Sequence, residues 1–548
     1  MKEPENGNLK SNTFEKVTVD RFFELTGEYG FYQKCFQVYI MFCELSALFN
    51  MMSIVWTAYT PEHVCNYNGT LDEDVVNVTR EQCRVVAHYR NATSKILTCD
   101  SWTYSKEDFD ETVATKYDLV CERAWLKSSI ISFMTIGQML GNMIIGHLAD
   151  KFGRRKVIIM AFIVEFISFF GAAFNFNFYF YVFVKMVLGG IALGVVNTHT
   201  VHATEIVGKS ARLLPSQIIN LGWSIFYVLL GVVAIYYRHF RSFYLTIPGI
   251  VFVYLLITIF VVDECPRWLL VQGRKEEAMK IFNKIKRLNG HEDKEYDIYL
   301  DVVETKSDVK QETFSDLLRS RILLCRYLNL GLCWAVNALV YYGLSLNTGS
   351  LAGDKYVNFI ISGAVEFPAY ALNIFVMYYL GKRLPISSVM VFGGLGCILA
   401  SFVSGTSSSA LSLFGKFCIT MSFGLLYVVT PELTPTTMRT YGLGICSTMA
   451  RVGSILAPFA QNLDNVNHYI VPLSFGFISM TSGLLIMTLP ETHGKKLPEN
   501  RQDAENFGKG QKLCFIPRTQ LTKFCMRSKR EDYKLDINPM EEKTKMMA

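Results

Sequence analysis

Charge is scarce in this sequence. Of its 548 residues only 19% are Asp, Glu, Lys or Arg, whereas 51% are hydrophobic. The apolar residues fall in long blocks, as a polytopic membrane protein requires. The formal net charge of +6 does not indicate a nucleic-acid partner, because the excess cations lie in loops beside the apolar blocks.

Several chemical motifs are also missing. No G-x-x-x-x-G-K-[ST] loop is present to cradle phosphates, which argues against an ATPase. No nucleophile, base and orienting group form a recognisable set, so we expect no enzymatic activity and no cofactor. The N-terminal residues are polar and lack the pattern of a cleavable signal peptide. We therefore expect a cytosolic N terminus, with the first apolar block acting as a signal anchor.

Twelve apolar blocks have the length of a bilayer crossing, about 20 residues each. They are 36–59, 127–148, 157–176, 178–200, 214–236, 243–263, 325–346, 356–379, 386–405, 410–430, 439–461 and 468–489. The sixth and seventh are separated by a polar segment rich in Lys and Arg, which the positive-inside rule places in the cytosol. The sequence thus predicts an all-α membrane protein with both termini in the cytosol.

The central polar segment, 264–324, divides the chain into two six-helix bundles, 36–263 and 325–489. These are flanked by a cytosolic N-terminal segment, 1–35, and a basic tail, 490–548. Two stretches that lie six spans apart support an internal repeat. They are TEIVGKSAR (204–212) and PELTPTTMR (431–439), which predict two similar halves.

The segment between the first two spans, 60–125, is too long for a simple connector. It carries three glycosylation sequons, at Asn68, Asn77 and Asn91, and four cysteines, Cys65, Cys83, Cys99 and Cys121. Sequons and an even cysteine count in one loop predict an extracellular, disulfide-bonded loop. Four cysteines allow three pairings, and the sequence does not choose among them.

The loop between spans two and three reads GNMIIGHLADKFGRRK (141–156). Its Gly and Asp positions and its cations resemble the signature loop of the major facilitator superfamily, which latches the two halves in one state. The residues that carry the resemblance are Gly146, Asp150, Gly153, Arg154 and Arg155. We expect Gly146 to let a neighbouring helix approach closely and Gly153 to permit a tight turn. The alternative is an ordinary charged turn that holds the orientation in the membrane.

The resemblance narrows further with stretches along nearly the whole chain. Among them are CDSWTYS (99–105), KYDLVCERAW (116–125), ECPRWLLVQGRKEEA (264–278), YYGLSLNT (341–348), VEFPAY (365–370) and CSTMARVGSILAPF (446–459). Together they resemble the organic cation, anion and carnitine transporters of the solute-carrier type. The resemblance implies alternating-access transport of small charged organic solutes across the plasma membrane. Many members of that family carry six cysteines in the first loop, where this chain has four.

The resemblance also leaves some properties open. Coupling to Na⁺ or H⁺ is undecided, and so is the oligomeric state. A cytoplasmic charge network is expected to stabilise one end state, and it joins the Asp150 loop to Glu205, Arg212, Glu432 and Arg439.

Arg451, midway along the eleventh span, is the leading substrate-binding residue. An arginine in a bilayer is costly, so we expect it to face a cavity and clamp a carboxylate or sulfate. The alternative is an internal ion pair with Glu366 or Glu44. Glu366, in the eighth span, is a natural partner for an amine or a quaternary ammonium group.

The family resemblance refines this picture. Cation transporters carry an aspartate at the place of Arg451, and anion transporters carry a lysine near Tyr370 that this chain lacks. Arginine together with glutamate fits a zwitterion such as a carnitine-like compound. The rivals are an organic anion exchanger and a non-transporting receptor or scaffold with the same fold.

Aromatic residues in the spans are candidates for a cage around a cation. They are Trp334, Tyr341, Tyr342, Tyr370, Tyr427 and Tyr227. Trp334 and Tyr341 match family positions associated with substrate contact. Ordinary helix packing is the alternative for each of them.

Other charged or polar residues within the spans are expected to be structural. His199, His202 and Glu205 have a spacing that a metal ion or proton coupling could use, but interhelical hydrogen bonds are favoured. Glu165 and Lys185 are expected to pair or to snorkel, and Lys416 to snorkel at the outer face.

Overall fold

The computed structural model describes residues 15–68, 75–90, 93–208, 211–212, 214–291, 296–299, 319–435, 439–464, 469–493, 495, 498, 501–509 and 511. By packing, the chain divides into two compact units. The first contains residues 1–51, 137–226 and 241–309, and the second contains 52–136, 227–240 and 310–548.

Helices dominate the described residues, and the long ones coincide with the predicted spans. In order they are α1 (Val19–Thr26), α2 (Phe31–Met52), α3 (Ile54–Thr57), α4 (Val113–Lys116), α5 (Ala124–Phe152), α6 (Arg154–Phe174), α7 (Phe178–Glu205), α8 (Leu214–Tyr236), α9 (Phe240–Phe260), α10 (Pro266–Val271), α11 (Lys275–Leu288), α12 (Arg321–Leu346), α13 (Lys355–Ala364), α14 (Glu366–Tyr379), α15 (Arg383–Phe402), α16 (Thr406–Leu433), α17 (Arg439–Asp464), α18 (Ile470–Ile486) and α19 (Arg501–Asn506). Within the described residues, eleven helical segments are long and apolar enough to cross a bilayer, and the shorter α18 is the twelfth. The prediction of a twelve-helix, all-α membrane protein is confirmed.

The first unit contains a small domain that the sequence did not predict. Strand β1 (Glu15–Thr18) pairs in parallel with β7 (Tyr296–Tyr299). Helix α1 follows β1 and is capped by Thr18, whose hydroxyl accepts the backbone N–H of Arg21. The aromatic face of α1 then packs on α11, with ring centroids of Phe22 and Phe282 4.9 Å apart. Burial of these apolar side chains fixes the N-terminal segment against the central segment of the chain.

The loop between the first two spans is a β-rich domain in the second unit. Strand β2 (His63–Asn66) pairs antiparallel with β6 (Ser101–Tyr104), while β3 (Val75–Arg80), β4 (Val85–Tyr89) and β5 (Ser94–Leu97) form a three-stranded sheet. The four cysteines form two disulfides, Cys65–Cys99 and Cys83–Cys121. The structure thus selects one of the three possible pairings. Asn68 and Asn77 are exposed, and Asn91 lies outside the described residues.

Candidate substrate site and charge networks

The centre of the candidate site is an ion pair between α14 and α16. Glu366 begins α14 and Lys416 lies in α16, and the distance from Lys416 Nζ to Glu366 Oε1 is 2.9 Å. The side chains are only 0% and 1% exposed. Burial of either charge alone would be costly, so each stabilises the other. The hydroxyl of Tyr341 also donates to Glu366 Oε1 at 2.8 Å, and Lys416 Nζ donates to Ser362 Oγ at 2.7 Å.

One expectation about these residues was wrong. Lys416 does not snorkel to an outer face, because its amine points inward to a carboxylate and a hydroxyl. Glu366 pairs with Lys416, a partner that the sequence analysis did not consider. The site therefore contains a lysine, which belongs to α16. It does not take the place of the lysine that anion transporters carry near Tyr370.

Two tyrosine rings enclose the amine of Lys416. Its Nζ lies 4.3 Å from the ring centroid of Tyr227 and 5.4 Å from that of Tyr341. Tyr227 comes from α8 and stacks on Phe359 of α13, with ring centroids 4.5 Å apart. Aromatic faces at these distances stabilise a cation. Both tyrosines were predicted cage residues, and the structure places them around the protein's own ammonium group.

Arg451 occupies the adjoining part of the same unit and is half-buried in α17. Its guanidinium is close enough to the side chains of Tyr342 and Tyr427 to interact with both electrostatically. Helix α17 approaches α12 closely at Gly453, where an added Cβ would lie 2.0 Å from the carbonyl oxygen of Ala335. This close packing fixes the position of Arg451 along the axis of α12.

An aromatic wall connects Arg451 with the ion pair. Tyr427 is 43% exposed and contacts the edge of the buried Trp334, with ring centroids 4.5 Å apart. Trp334 donates from Nε1 to Thr430 Oγ1 at 2.9 Å. The sequence analysis missed Phe423. Its ring centroid lies 5.7 Å from that of Tyr427 and 6.1 Å from that of Tyr341. The sequence did contain a signal for it, because Phe423 precedes Tyr427 by one helical turn and so lies on the same helix face.

Tyr370 completes the wall. It is buried in α14 and interacts electrostatically with Glu366 and Tyr427. The second unit thus brings together all seven predicted substrate-binding residues. Carboxylate, guanidinium, ammonium and aromatic faces in one cluster are suited to binding a charged organic solute.

A second set of charges lies in the first unit, at the start of α6. Arg154 pairs with Asp150 at 3.3 Å and with Glu205 at 3.0 Å. Gly153 precedes Arg154 with φ +102°, a conformation that favours glycine, and so permits the predicted tight turn. The backbone N–H of Arg155 donates to Glu264 Oε1 at 3.1 Å. The structure therefore brings Asp150, Arg154 and Glu205 together.

Arg212 belongs to a neighbouring part of this network. Its partner is Asp20 of α1, at 2.7 Å. The same carboxylate oxygen also binds Arg267, whose Nε donates to the backbone carbonyl of Glu205 at 2.8 Å. Asp20 was missed because no motif surrounds it.

The arrangement recurs six spans later, in the second unit. Glu432 pairs with Lys382, which immediately precedes α15, just as Glu205 pairs with Arg154 at the start of α6. Thr492 also donates to Glu432 Oε2, at 2.6 Å. The repeated pairing supports the internal repeat seen in the sequence. The side chain of Arg439 lies outside the described residues.

The expectation for Gly146 was wrong. Among the described residues nothing would lie within 4 Å of a Cβ added there. The close helix contact is instead one turn earlier, where a Cβ on Gly141 would lie 2.3 Å from Gly190 Cα. This contact joins α5 and α7.

The other charged and polar residues named in the sequence analysis that lie buried are in the first unit. Lys185 donates to the backbone oxygen and to Oδ1 of Asn50, at 2.7 and 2.6 Å, and does not pair with Glu165. His199 Nε2 lies 3.4 Å from the hydroxyl of Tyr39. His202, Glu44 and Glu165 are also buried. Glu205 binds Arg154 and the thiol of Cys265, so it does not face the two histidines as a ligand set.

The sequence of this chain is similar to those of known membrane transporters. A family model described as "Sugar (and other) transporter" matches residues 88–503. The chain is similar to an organic cation transporter protein of Drosophila melanogaster, with 32% identity over 519 residues that cover 88% of this chain and 94% of the relative. It is also similar to organic cation/carnitine transporter 2 of Mus musculus, with 31% identity over 526 residues, 86% of this chain and 91% of the relative.

A solved structure has a similar fold. The major facilitator superfamily proton:xylose symporter XylE, bound to 6-bromo-6-deoxy-D-glucose, matches with a TM-score of 0.57 and 17% identity. The match covers 85% of this chain and 99% of that chain. XylE is a protein of E. coli.

Proposed function

Because this chain belongs to the organic cation and carnitine transporters of the major facilitator superfamily, we propose that it carries small organic cations or zwitterions across the plasma membrane. Carnitine-like compounds are the leading substrate type. Transport proceeds by alternating access, with no covalent chemistry on the solute. The observation that carries the proposal is the grouping of Arg451, Glu366 and an aromatic wall in one unit.

Each group has a defined role in this proposal. Arg451 clamps the substrate carboxylate, because a guanidinium can donate two parallel hydrogen bonds to it. The exposed ring of Tyr427 offers a face to a quaternary ammonium group. Glu366 supplies the negative charge that the substrate ammonium requires.

A second candidate, an organic anion exchanger, is favoured by the ion pair itself. Lys416 and Arg451 contribute two positive charges to the cluster and Glu366 contributes one negative charge. A site with this balance also suits an organic anion. A receptor or scaffold is disfavoured, since such a protein has no need of the paired charges around Glu205 and Glu432.

The test is uptake of labelled carnitine, tetraethylammonium and p-aminohippurate into cells or liposomes, with and without sodium and at two external pH values. We expect carnitine uptake in the natural protein and its loss in Arg451→Ala and in Glu366→Gln. Arg451→Lys is the matched variant, which keeps the charge but not the two-pronged geometry and should retain only part of the activity.

The other outcomes are equally informative. Hippurate uptake without carnitine uptake would establish the anion exchanger. Normal surface expression with no uptake of any of the three solutes would support the receptor.

A further inference from the structure

The amine of Lys416 occupies a complete binding position for an organic ammonium group. It has a carboxylate oxygen at 2.9 Å, a serine hydroxyl at 2.7 Å and aromatic centroids at 4.3 and 5.4 Å. A carboxylate flanked by aromatic faces is the arrangement by which proteins recognise amines and quaternary ammonium ions. Here the position is filled by a side chain of the same protein.

The surroundings provide what an exchange would need. Among the described residues, Glu366 Oε2 is buried and has no hydrogen-bond partner. An incoming cation can therefore bind this second oxygen before Lys416 leaves the first. The carboxylate would at no point be left as an unpaired buried charge, which is the costly intermediate in such a replacement.

The displaced amine also has somewhere to go. A small, partly open cavity borders Lys416 and Ser362. Thr348 and Ser412 line it as well. The four-carbon stem of lysine is flexible, so the amine can turn from Glu366 towards these hydroxyl groups.

We propose that Lys416 is a tethered competitor for the ammonium position at Glu366 and that the pair thereby selects zwitterions over simple cations. A simple cation takes Glu366 and leaves the lysine without its carboxylate. A zwitterion supplies both charges, with its ammonium group to Glu366 and its carboxylate to Lys416 or Arg451. This inference rests on the proposed function, because it concerns the selectivity of the same site.

The test compares tetraethylammonium and carnitine uptake in the natural protein, in Lys416→Gln and in Lys416→Arg. Removal of the competitor should lower KM for tetraethylammonium about tenfold, because the ligand no longer displaces a group held at high effective concentration. The preference for carnitine, as a ratio of kcat/KM values, should fall by a similar factor. Arginine binds a carboxylate with two hydrogen bonds, so Lys416→Arg should raise KM for tetraethylammonium several-fold.

Lys185→Gln is the matched control. Lys185 is also fully buried and also lies beside a tyrosine ring, 5.4 Å from the centroid of Tyr244, but it binds Asn50 and not a carboxylate. Its removal should leave the ratio of the two substrates unchanged.

The outcomes separate this inference from the proposed function. If the natural protein takes up neither solute, the proposed function fails. The second outcome is that the natural protein takes up both solutes, with a ratio of carnitine to tetraethylammonium kcat/KM that neither Lys416 variant changes. In that case the ion pair is purely structural and only the inference is overturned. If Lys416→Gln does not reach the surface, the direction of the KM change in Lys416→Arg decides alone, and an unchanged or lower KM overturns the inference.

Discussion

The thiol of Cys265 donates a hydrogen bond to the carboxylate of Glu205, with Sγ 2.8 Å from Oε2. Burial and the nearby negative charge of Glu205 raise the pKa of the Cys265 thiol well above its usual range. The carboxylate that holds this thiol is the one that pairs with Arg154. The reactivity of Cys265 therefore reports on the charge network at the start of α6.

Cys265 should react slowly with a maleimide at neutral pH. Only the thiolate is nucleophilic, and a raised pKa means that the thiolate forms only as the pH becomes alkaline. The labelling rate should therefore rise with pH above neutrality. Glu205→Gln removes the negative charge that adds to the effect of burial on the pKa, so labelling at pH 7 should become several-fold faster.

Mass spectrometry of labelled peptides gives the rate at each cysteine in one sample. Cys35, which is exposed, is the internal control and should label quickly in both proteins. Equal rates for Cys265 with and without the Glu205 charge would show that the network does not protect the thiol.

Asp20 should link the N-terminal segment to the transport cycle. Its carboxylate receives both Arg212 and Arg267, and its side chain is only 17% exposed. A hydrogen bond to a charged group contributes roughly 1.5–3 kcal/mol to the free energy of unfolding. Asp20→Asn should therefore lower the melting temperature of the purified protein by several degrees and change the maximal uptake rate.

Glu24→Gln is the matched control on the same helix. Among the described residues Glu24 pairs with Arg21 alone, and both side chains are well exposed. Such a surface pair contributes about 0–1 kcal/mol. If the two variants lowered stability and uptake equally, Asp20 would be no more than a surface charge.

Lys355 should fasten the loop domain of the second unit to α13. Its amine lies 4.7, 5.5 and 5.6 Å from the ring centroids of Tyr59, Phe109 and Tyr356, and it pairs with Asp108. A largely desolvated cation–π contact is worth about 2 kcal/mol. Lys355→Ala should lower the melting temperature, and Lys355→Arg should preserve most of it.

The control for Lys355 is Lys106→Ala, which removes an exposed lysine from the same loop. Its effect on the melting temperature should be small, as for most surface substitutions. A shift as large as that of Lys355→Ala would argue that any lost charge in this loop destabilises it.

Sequence reasoning succeeded where one property of a segment decides the outcome. The length of an apolar block predicts a membrane helix, because a bilayer has a fixed thickness. The recurrence of TEIVGKSAR as PELTPTTMR predicted a repeat. The ion pairs Arg154–Glu205 and Lys382–Glu432 lie at equivalent positions in its two copies. Each of these signals can be read from short stretches of the sequence.

It failed where the direction of one side chain decides the outcome. Lys416 lies in a helix that is apolar on most sides, so its periodicity does not show which face meets α14. Gly146 and Gly141 are both small residues of α5, and only packing shows that Gly141 meets α7. Strands β1 and β7 are four residues each and lie far apart in the chain, so no alternation could predict their pairing.

Reversal of charge at Arg451 tests the carboxylate clamp most directly. Arg451→Asp replaces a guanidinium with a carboxylate beside Tyr342 and Tyr427. A substrate carboxylate would then be repelled, whereas a simple cation would gain a second negative partner. We expect carnitine uptake to fall by at least tenfold and tetraethylammonium uptake to rise relative to it.

Tyr427→Phe and Tyr427→Ala complete this test, because the first keeps the aromatic face and the second removes it. Loss of tetraethylammonium uptake in the alanine variant alone would place the cation on that ring. The two measurements are independent, since Arg451 acts on the carboxylate and Tyr427 on the ammonium group. An unchanged ratio of carnitine to tetraethylammonium in Arg451→Asp, at normal surface expression, would remove Arg451 from the substrate site.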